Sequence, residues 1–295
     1  MTSAWIRPPA RSNRHASHRT GRVPGYQPSA ARSRDPSRCE VGLLESSDLP
    51  ARRPEASSGR PSLGRTRYLV GVSTTPATPR RLTFLDLADQ ILAARPNLGT
   101  VRLVCLDGPS GAGKTELAGR LARALGARMG ASPLTLFPMR EGPLGVQVLH
   151  MDDLYEGWDG LPAVGDRLRE WVLEPLAAGR PGCYRRYDWH LGRYAEWHEV
   201  PSRPVLVLEG VGSGALWTDG LAVRTLWVDA PEDVRRRRAL DRDPGFAPYW
   251  DVWAAAERTH FAEHRTRERA DLLVDGAPEE AYDPATELVL PSARS

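Results

Sequence analysis

Residues Gly108-Pro109-Ser110-Gly111-Ala112-Gly113-Lys114-Thr115 place three glycines, a lysine and two hydroxyl side chains within one short stretch. The spacing is G-x-x-x-x-G-K-[ST], the pattern of a loop that wraps phosphate. Glycines let successive backbone N–H groups turn toward one point and let phosphate oxygens approach closely. A helix starting at the end of the loop adds partial positive charge. In such a loop Lys114 bridges the β- and γ-phosphates and the Thr115 hydroxyl ligates Mg²⁺. Lys114 is also the only lysine of the chain; every other basic residue is arginine. Arginine replaces lysine on a solvated surface at little cost. A tight backbone nest, by contrast, admits a compact ammonium and not a broad guanidinium. The G-x-G-x-x-G spacing of a dinucleotide site is absent, so a nucleoside triphosphate with Mg²⁺, ATP in the simplest case, is the expected ligand.

Further residues with chemical potential follow downstream. "LHMDDLY" carries Asp152 and Asp153 where a strand would end, the edge at which α/β sheets bind ligands. A carboxylate there can take the proton of a hydroxyl or hold Mg²⁺ through water. Adjacent acids on a strand point to opposite faces, so only one of the two is expected to face the phosphates. "VLVLEG" ends on Glu209, placed to organise the metal. In "DAPEDVRRRRALDRD", Arg235, Arg238 and Arg242 share one helical face and could stabilise charge on a transferring phosphoryl group. An arginine run is also what an ordinary solvated helix face looks like. His260 and His264 lie four apart without a third ligand, which reads as a packed pair rather than a metal site.

These residues need elements to hold them. "VRLVCLD" (101–107) before the glycine loop reads as a buried strand, and "TELAGRLARALGA" after it as a helix with Leu117, Leu121 and Leu125 on one stripe. Strands are also expected at 146–153, 204–210, 223–230 and 271–276, and helices at 166–178, 231–241 and 251–269. In the last helix Trp253, Ala256, His260 and Phe261 are spaced for a buried face. A helix before the first strand, "LTFLDLADQILAAR", would bury Leu82, Leu85, Ile91 and Leu92, with Thr83 and Asp86 as a capping box. This alternation predicts an α/β, three-layer P-loop NTPase fold, with about five parallel strands, helices on both faces and an arginine-bearing lid.

The ordered set "GPSGAGKT", "DDLY", "RYDW" (186–189), "VLEG" and an arginine-rich helix ending in Arg-Asp resembles uridine kinases. That family sits within a wider group of P-loop kinases that includes phosphoribulokinase and bacterial pantothenate kinase. The resemblance spans about residues 100–275. It implies transfer of the ATP γ-phosphoryl group to a hydroxyl, a nucleoside 5′-hydroxyl in the nearest case, with another small alcohol as the alternative. A nucleotide-driven switch without an acceptor is the reading from a different class. The resemblance implies that Asp152 is the base, that Tyr155 lies near the acceptor, and that Tyr187 and Asp188 line its pocket. Glu209 supports the metal or the acceptor, and Arg235, Arg238 and Arg242 close over the phosphates. The match departs from the family at "YDWHLGRYAEWHE" and "YEGWDGLP", where Trp158, Trp189 and Trp197 give unusual aromatic weight. Rings there could stack on a base or simply pack a small subdomain.

Composition bounds the rest. Residues 1–80 hold 14 arginines against 5 acids, whereas the remaining 215 residues are mildly acidic, so the net charge of +3 hides an asymmetry. The leader is rich in Pro, Ser and Arg and poor in aliphatics, so disorder is expected there; a misassigned start would read the same way. The expected division is therefore 1–80 leader, 81–280 kinase domain and 281–295 flexible tail. Three scattered cysteines show no metal spacing and fit a reducing cytoplasm, with Cys105 a packed thiol. No apolar run of about 18 residues reads as a membrane span. The expected partner is a small-molecule hydroxyl acceptor, with no specific nucleic acid; self-association into a homo-oligomer is left open.

Overall fold

The computed structural model describes residues 80–130 and 145–291. Of the leader expected over residues 1–80, all but Arg80, which begins β1, lies outside them. In chain order the elements are β1 (Arg80–Thr83), α1 (Phe84–Ala93), β2 (Arg102–Asp107), α2 (Lys114–Arg128), β3 (Val146–His150), α3 (Val164–Leu168) and α4 (Glu174–Ala177). After them come β4 (Gly182–Asp188), β5 (Arg193–Val200), β6 (Val205–Glu209), β7 (Ala222–Asp229), α5 (Glu232–Arg242) and α6 (Trp250–His264). The chain closes with α7 (Thr266–Arg269), β8 (Leu272–Asp275) and β9 (Glu287–Leu290).

Seven strands form one sheet in the order β1-β9-β8-β7-β2-β6-β3. The five expected strands, β2, β3, β6, β7 and β8, pair in parallel. Their residues alternate between two cores, as side chains on a strand must. From β2, Leu103 and Cys105 join the core on one face, and Val104 and Leu106 that on the other. Burial pushes the Cys105 thiol far up, so it is a packed, inert group.

Two expectations need correction. Residues 281–295 were expected to form a flexible tail, yet Glu287–Leu290 form β9, with Leu288 and Val289 only 2% exposed. β9 runs antiparallel to both β8 and β1. In α1 the buried face is Phe84, Leu87, Ala88 and Ile91, while Leu85 is exposed. Ile91 is buried as expected, but Leu82 and Thr83 belong to β1, so the helix begins at Phe84 and turns Phe84, Leu87 and Ala88 inward in place of Leu85. The cap itself is as read: the Thr83 hydroxyl accepts from the Asp86 N–H at 3.0 Å. The stretch 182–200, for which the sequence predicts no element, forms an antiparallel hairpin, β4–β5, outside the main sheet. The helical run expected at 166–178 is present as α3 and α4 joined by a π turn over Arg169–Leu173.

Candidate active site

β2 ends at Asp107, and the glycine loop leads directly into α2. Gly113, the residue before α2, takes a left-handed φ of 100°, which orients the following N–H groups, and a side chain there would meet no atom within 4 Å. Gly111 is glycine for another reason: a Cβ would lie 2.2 Å from the Arg235 carbonyl oxygen. The loop is thus open on the ligand side and wedged against α5 behind. Lys114 is nearly buried, and its Nζ donates to the carbonyls of Gly108 at 2.7 Å and Pro109 at 2.9 Å.

Two carboxylates brace this loop that the sequence reading did not single out. Asp107 is fully buried and accepts N–H bonds from Gly108 (2.7 Å), Gly212 (2.9 Å) and Gly214 (2.9 Å). It ties the start of the loop to the segment following β6. Burial pushes its carboxyl up to about 6 against the opposing pull of these donors and of Lys114. Glu257, on the buried face of α6, accepts from the Ser110 N–H (2.9 Å), the Ser110 hydroxyl (2.5 Å) and Trp253 Nε1 (2.8 Å). The signal was present: Trp250, Trp253, Ala254, Glu257 and His260 share the buried stripe, and a lone Glu in such a stripe requires a partner.

β6 delivers Glu209 beneath the loop. Its Oε1 accepts the Thr115 hydroxyl at 3.1 Å and meets His150 Nδ1, at the end of β3, at 2.5 Å. Burial opposes ionisation of Glu209, but the His150 hydrogen bond and charge, with Lys114 and Thr115, outweigh it and hold the carboxyl below its usual range. On His150 burial again opposes the charged form, and the bond to Glu209 wins, raising its pKa.

β3 stops at His150, so Asp152 and Asp153 sit on a 3₁₀ turn, Met151–Asp153, rather than alternating on a strand. The turn separates them in its own way. Asp153 is buried and accepts the Tyr184 hydroxyl of β4 at 3.1 Å. Asp152 faces the cleft beside Glu209 and the glycine loop. Burial, then repulsion from Glu209, pushes its carboxyl up to about 6, with Arg242 and Lys114 pulling the other way. The hairpin clamps this turn through Trp189 Nε1 to the Asp152 carbonyl (2.9 Å) and the Tyr194 hydroxyl to the Leu154 carbonyl (3.0 Å).

A cleft of about 610 Å³ runs over the loop. That volume lies within the roughly 300–1,000 Å³ typical of small-molecule sites. Its lining includes Ser110 through Thr115, Asp152, Glu209, Arg238 and Arg242. A second cavity, of about 30 Å³, also borders Ser110, Asp152 and Arg242, and its walls are aromatic, with Trp158, Trp189 and Phe246 among them.

The remaining expected residues are distributed as follows. Tyr155 reaches the small cavity, but its hydroxyl is committed to the Val211 carbonyl at 2.6 Å. Tyr187 and Asp188 line neither cavity. Tyr187 packs edge-on against Trp189 and Tyr194. Asp188 organises the hairpin turn, accepting from the N–H groups of His190 (2.9 Å) and Leu191 (3.0 Å) and from Arg186 (2.8 Å). The hairpin's contribution to the cavity is Trp189 instead. Arg235 donates to the Ala230 carbonyl (2.9 Å) and the Ser110 carbonyl (3.2 Å) and lines neither cavity. Arg238 donates to the Gly276 carbonyl at 2.9 Å. Two of the three arginines thus pin α5 to the loop and to the end of β8, and Arg242 alone borders both cavities. Gly108 and Pro109 line neither cavity; their carbonyls hold Lys114.

His260 and His264 are packed against Trp217, as a paired packing role requires. Burial, then the charge of His264, lowers the His260 pKa to about 4. Among the described residues no group of three or more His, Cys, Asp or Glu could hold a metal ion by itself. No described helix is long and apolar enough to cross a membrane.

No protein-family model matches this sequence, and no curated protein matches it. Solved structures do. A possible uridine kinase from Bacillus stearothermophilus aligns with 20% identity and a TM-score of 0.43, over 64% of this chain and 96% of that one. A proposed fructose transport system kinase from Silicibacter sp. TM1040 aligns with 21% identity and a TM-score of 0.42, over 64% of this chain and 95% of that one.

Proposed function

We propose that this chain transfers the γ-phosphoryl group of ATP to the hydroxyl of a small molecule. The observation that carries the reading is Asp152: one carboxylate, poised near 6, borders both the cleft over the phosphate loop and the adjoining small cavity. A switch that only binds and hydrolyses nucleotide has no use for a second, walled cavity at its base.

The residues fit ATP and Mg²⁺. Gly113 leaves the loop open where phosphate oxygens would sit, and Thr115 with Glu209 offers hard oxygen donors within 3.1 Å of each other. Mg²⁺ is commonly held by one or two protein oxygens together with phosphates and water. When bound, MgATP supplies the phosphoryl group and neutralises charge on its β- and γ-oxygens. Lys114 adds positive charge at the same place, and α2 directs its N-terminal N–H groups there. Glu209 orients the Thr115 hydroxyl, and His150 keeps Glu209 ionised and fixed. Asp152 takes the proton of the acceptor hydroxyl as the acceptor oxygen bonds to the γ-phosphorus. The bond to the β–γ bridging oxygen breaks, and ADP carries away the electron pair. Arg242 stands where it can stabilise charge that builds on the transferring group. The sequence resemblance favours a nucleoside 5′-hydroxyl as acceptor, with Mg²⁺ at Thr115, Glu209 and Asp152.

The test incubates MgATP with a panel of nucleosides, polyols and amino alcohols while following ADP and phosphorylated acceptor. Acceptor-dependent ADP with stoichiometric phosphoester is expected. Asp152→Asn should lower kcat by about 10²–10⁴, the usual contribution of a positioned base. ADP appearing only with free phosphate would refute transfer, and full activity of the variant would remove Asp152 as the base.

A further inference from the structure

The small cavity beside Asp152 contains an unanswered hydrogen-bond acceptor. Asp243, the residue after α5, is only 3% exposed and borders this cavity. Its Oδ1 accepts the Gly245 N–H at 2.9 Å and caps the turn that follows. Its Oδ2 is buried with no hydrogen-bond partner among the described residues. A buried carboxylate oxygen without a donor is costly and therefore uncommon in a settled structure, unless a ligand completes it.

The surroundings define what could complete it. Two carboxylates, Asp152 and Asp243, border the cavity with one guanidinium, Arg242; Arg242 and His190 both bear on Asp243, yet its Oδ2 still lacks a donor. Glu257 adds a further carboxylate just behind Ser110. Trp158, Trp189, Phe246 and Trp253 supply the walls, and ring faces favour a compact cation over an anion. Size narrows the choice again. About 30 Å³ is room for roughly two water molecules. A nucleobase does not enter such a space. Nor can it stack readily on Trp158, which already lies parallel to Phe246 (5.0 Å) and Tyr249 (4.5 Å).

We infer that the acceptor is a small amino alcohol whose ammonium group sits in this cavity and donates to Asp243 Oδ2, with its hydroxyl carried back to Asp152. The inference rests on the phosphotransferase reading and names the substrate class of that same site. Asp152 and Arg242 border both the cavity and the cleft, so a head group in the cavity leaves the next few atoms beside the base. Asp243 is then a specificity residue that selects a cationic hydrogen-bond donor. It replaces the base recognition that a nucleoside would require.

The experiment uses the full chain with MgATP and matched acceptors: 2-aminoethanol against ethane-1,2-diol, 3-aminopropan-1-ol against propane-1,3-diol, and uridine. Initial rates of ADP formation give kcat/KM, and phosphorus NMR identifies the product ester. The amine of each pair should exceed its diol by about tenfold or more, the value of one charge-assisted hydrogen bond. Asp243→Asn, which keeps the cap to Gly245, should collapse that preference to within about threefold, chiefly through KM for the amine. The wild-type comparison stands without the variant if the variant does not fold. Equal use of amine and diol, preference for uridine, or a preference that survives in Asp243→Asn would overturn the inference and leave the phosphotransferase reading standing. ADP formation with no acceptor phosphorylated would overturn that reading and the inference with it.

Discussion

Glu257 makes a demanding prediction because all its bonds end on one oxygen. Removing the side chain in Glu257→Ala does not orphan every donor equally. Trp253 Nε1 also reaches the Ser110 hydroxyl at 3.0 Å, so these two groups retain each other. The Ser110 N–H keeps nothing. Its stranding costs about 1–3 kcal/mol, and loss of the charge-assisted bonds brings the total to about 2–4 kcal/mol. For a folded body of this size that lowers Tm by roughly 5–15 °C. Glu257→Gln retains one acceptor oxygen and should cost about half as much. Thermal melts and urea titrations of the two variants measure both values. A double-mutant cycle with Ser110→Ala isolates the contact, with an expected coupling of at least about 1 kcal/mol. ATP affinity should weaken in parallel, because Ser110 is part of the phosphate loop. A Glu257→Ala protein melting within about 1 °C of the parent, or a coupling near zero, would show that Glu257 does not brace the loop.

Other consequences can be checked directly. Asp152 must be ionised to accept a proton and its carboxyl lies at about 6, so kcat/KM for the acceptor should be flat above about pH 7 and fall about tenfold per unit below 6. A profile flat down to pH 4.5 would exclude this role. Lys114→Arg should abolish measurable ATP binding by calorimetry, because the Gly108 and Pro109 carbonyls hold Nζ as a point donor, a geometry that a broad planar guanidinium does not reproduce. Val289→Asp, which puts a charge into a β9 position only 2% exposed, should destabilise the fold by about 3 kcal/mol or more in urea titration. An unaltered midpoint would mean that β9 is dispensable.

The parts legible in the sequence were those governed by local pattern. The glycine loop, the leucine stripe of α2 and the five parallel strands all follow from spacing and apolar runs. What escaped was set by distant partners. The hairpin strands "GCYRRYD" and "RYAEWHEV" alternate in a way that reads as a strand pair, but aromatic and arginine content masked the period. β1 and β9 are four residues each and gain their identity only from each other. Glu257, Asp107 and Asp243 act through backbone groups far along the chain or through a cavity that no linear spacing displays. Tyr187 and Asp188 were drawn to the acceptor by analogy of motif, whereas a bulged hairpin turns Trp189 inward in their place.

The pairing of β1 with β9 also has a consequence for synthesis. Arg80 lies opposite Leu290 and Thr83 opposite Glu287, so the first strand of the body waits for roughly two hundred residues before its partner exists. At about 5–20 residues per second, the ribosome takes roughly 10–40 s to supply it. Once β8 is complete at Asp275, its edge stays open until Glu287–Leu290 follow, and the nascent sheet can recruit a strand from another chain in place of β9. Translation that stalls or stops short of Glu287 therefore leaves a phosphate loop already built on a sheet whose edge is still unsealed.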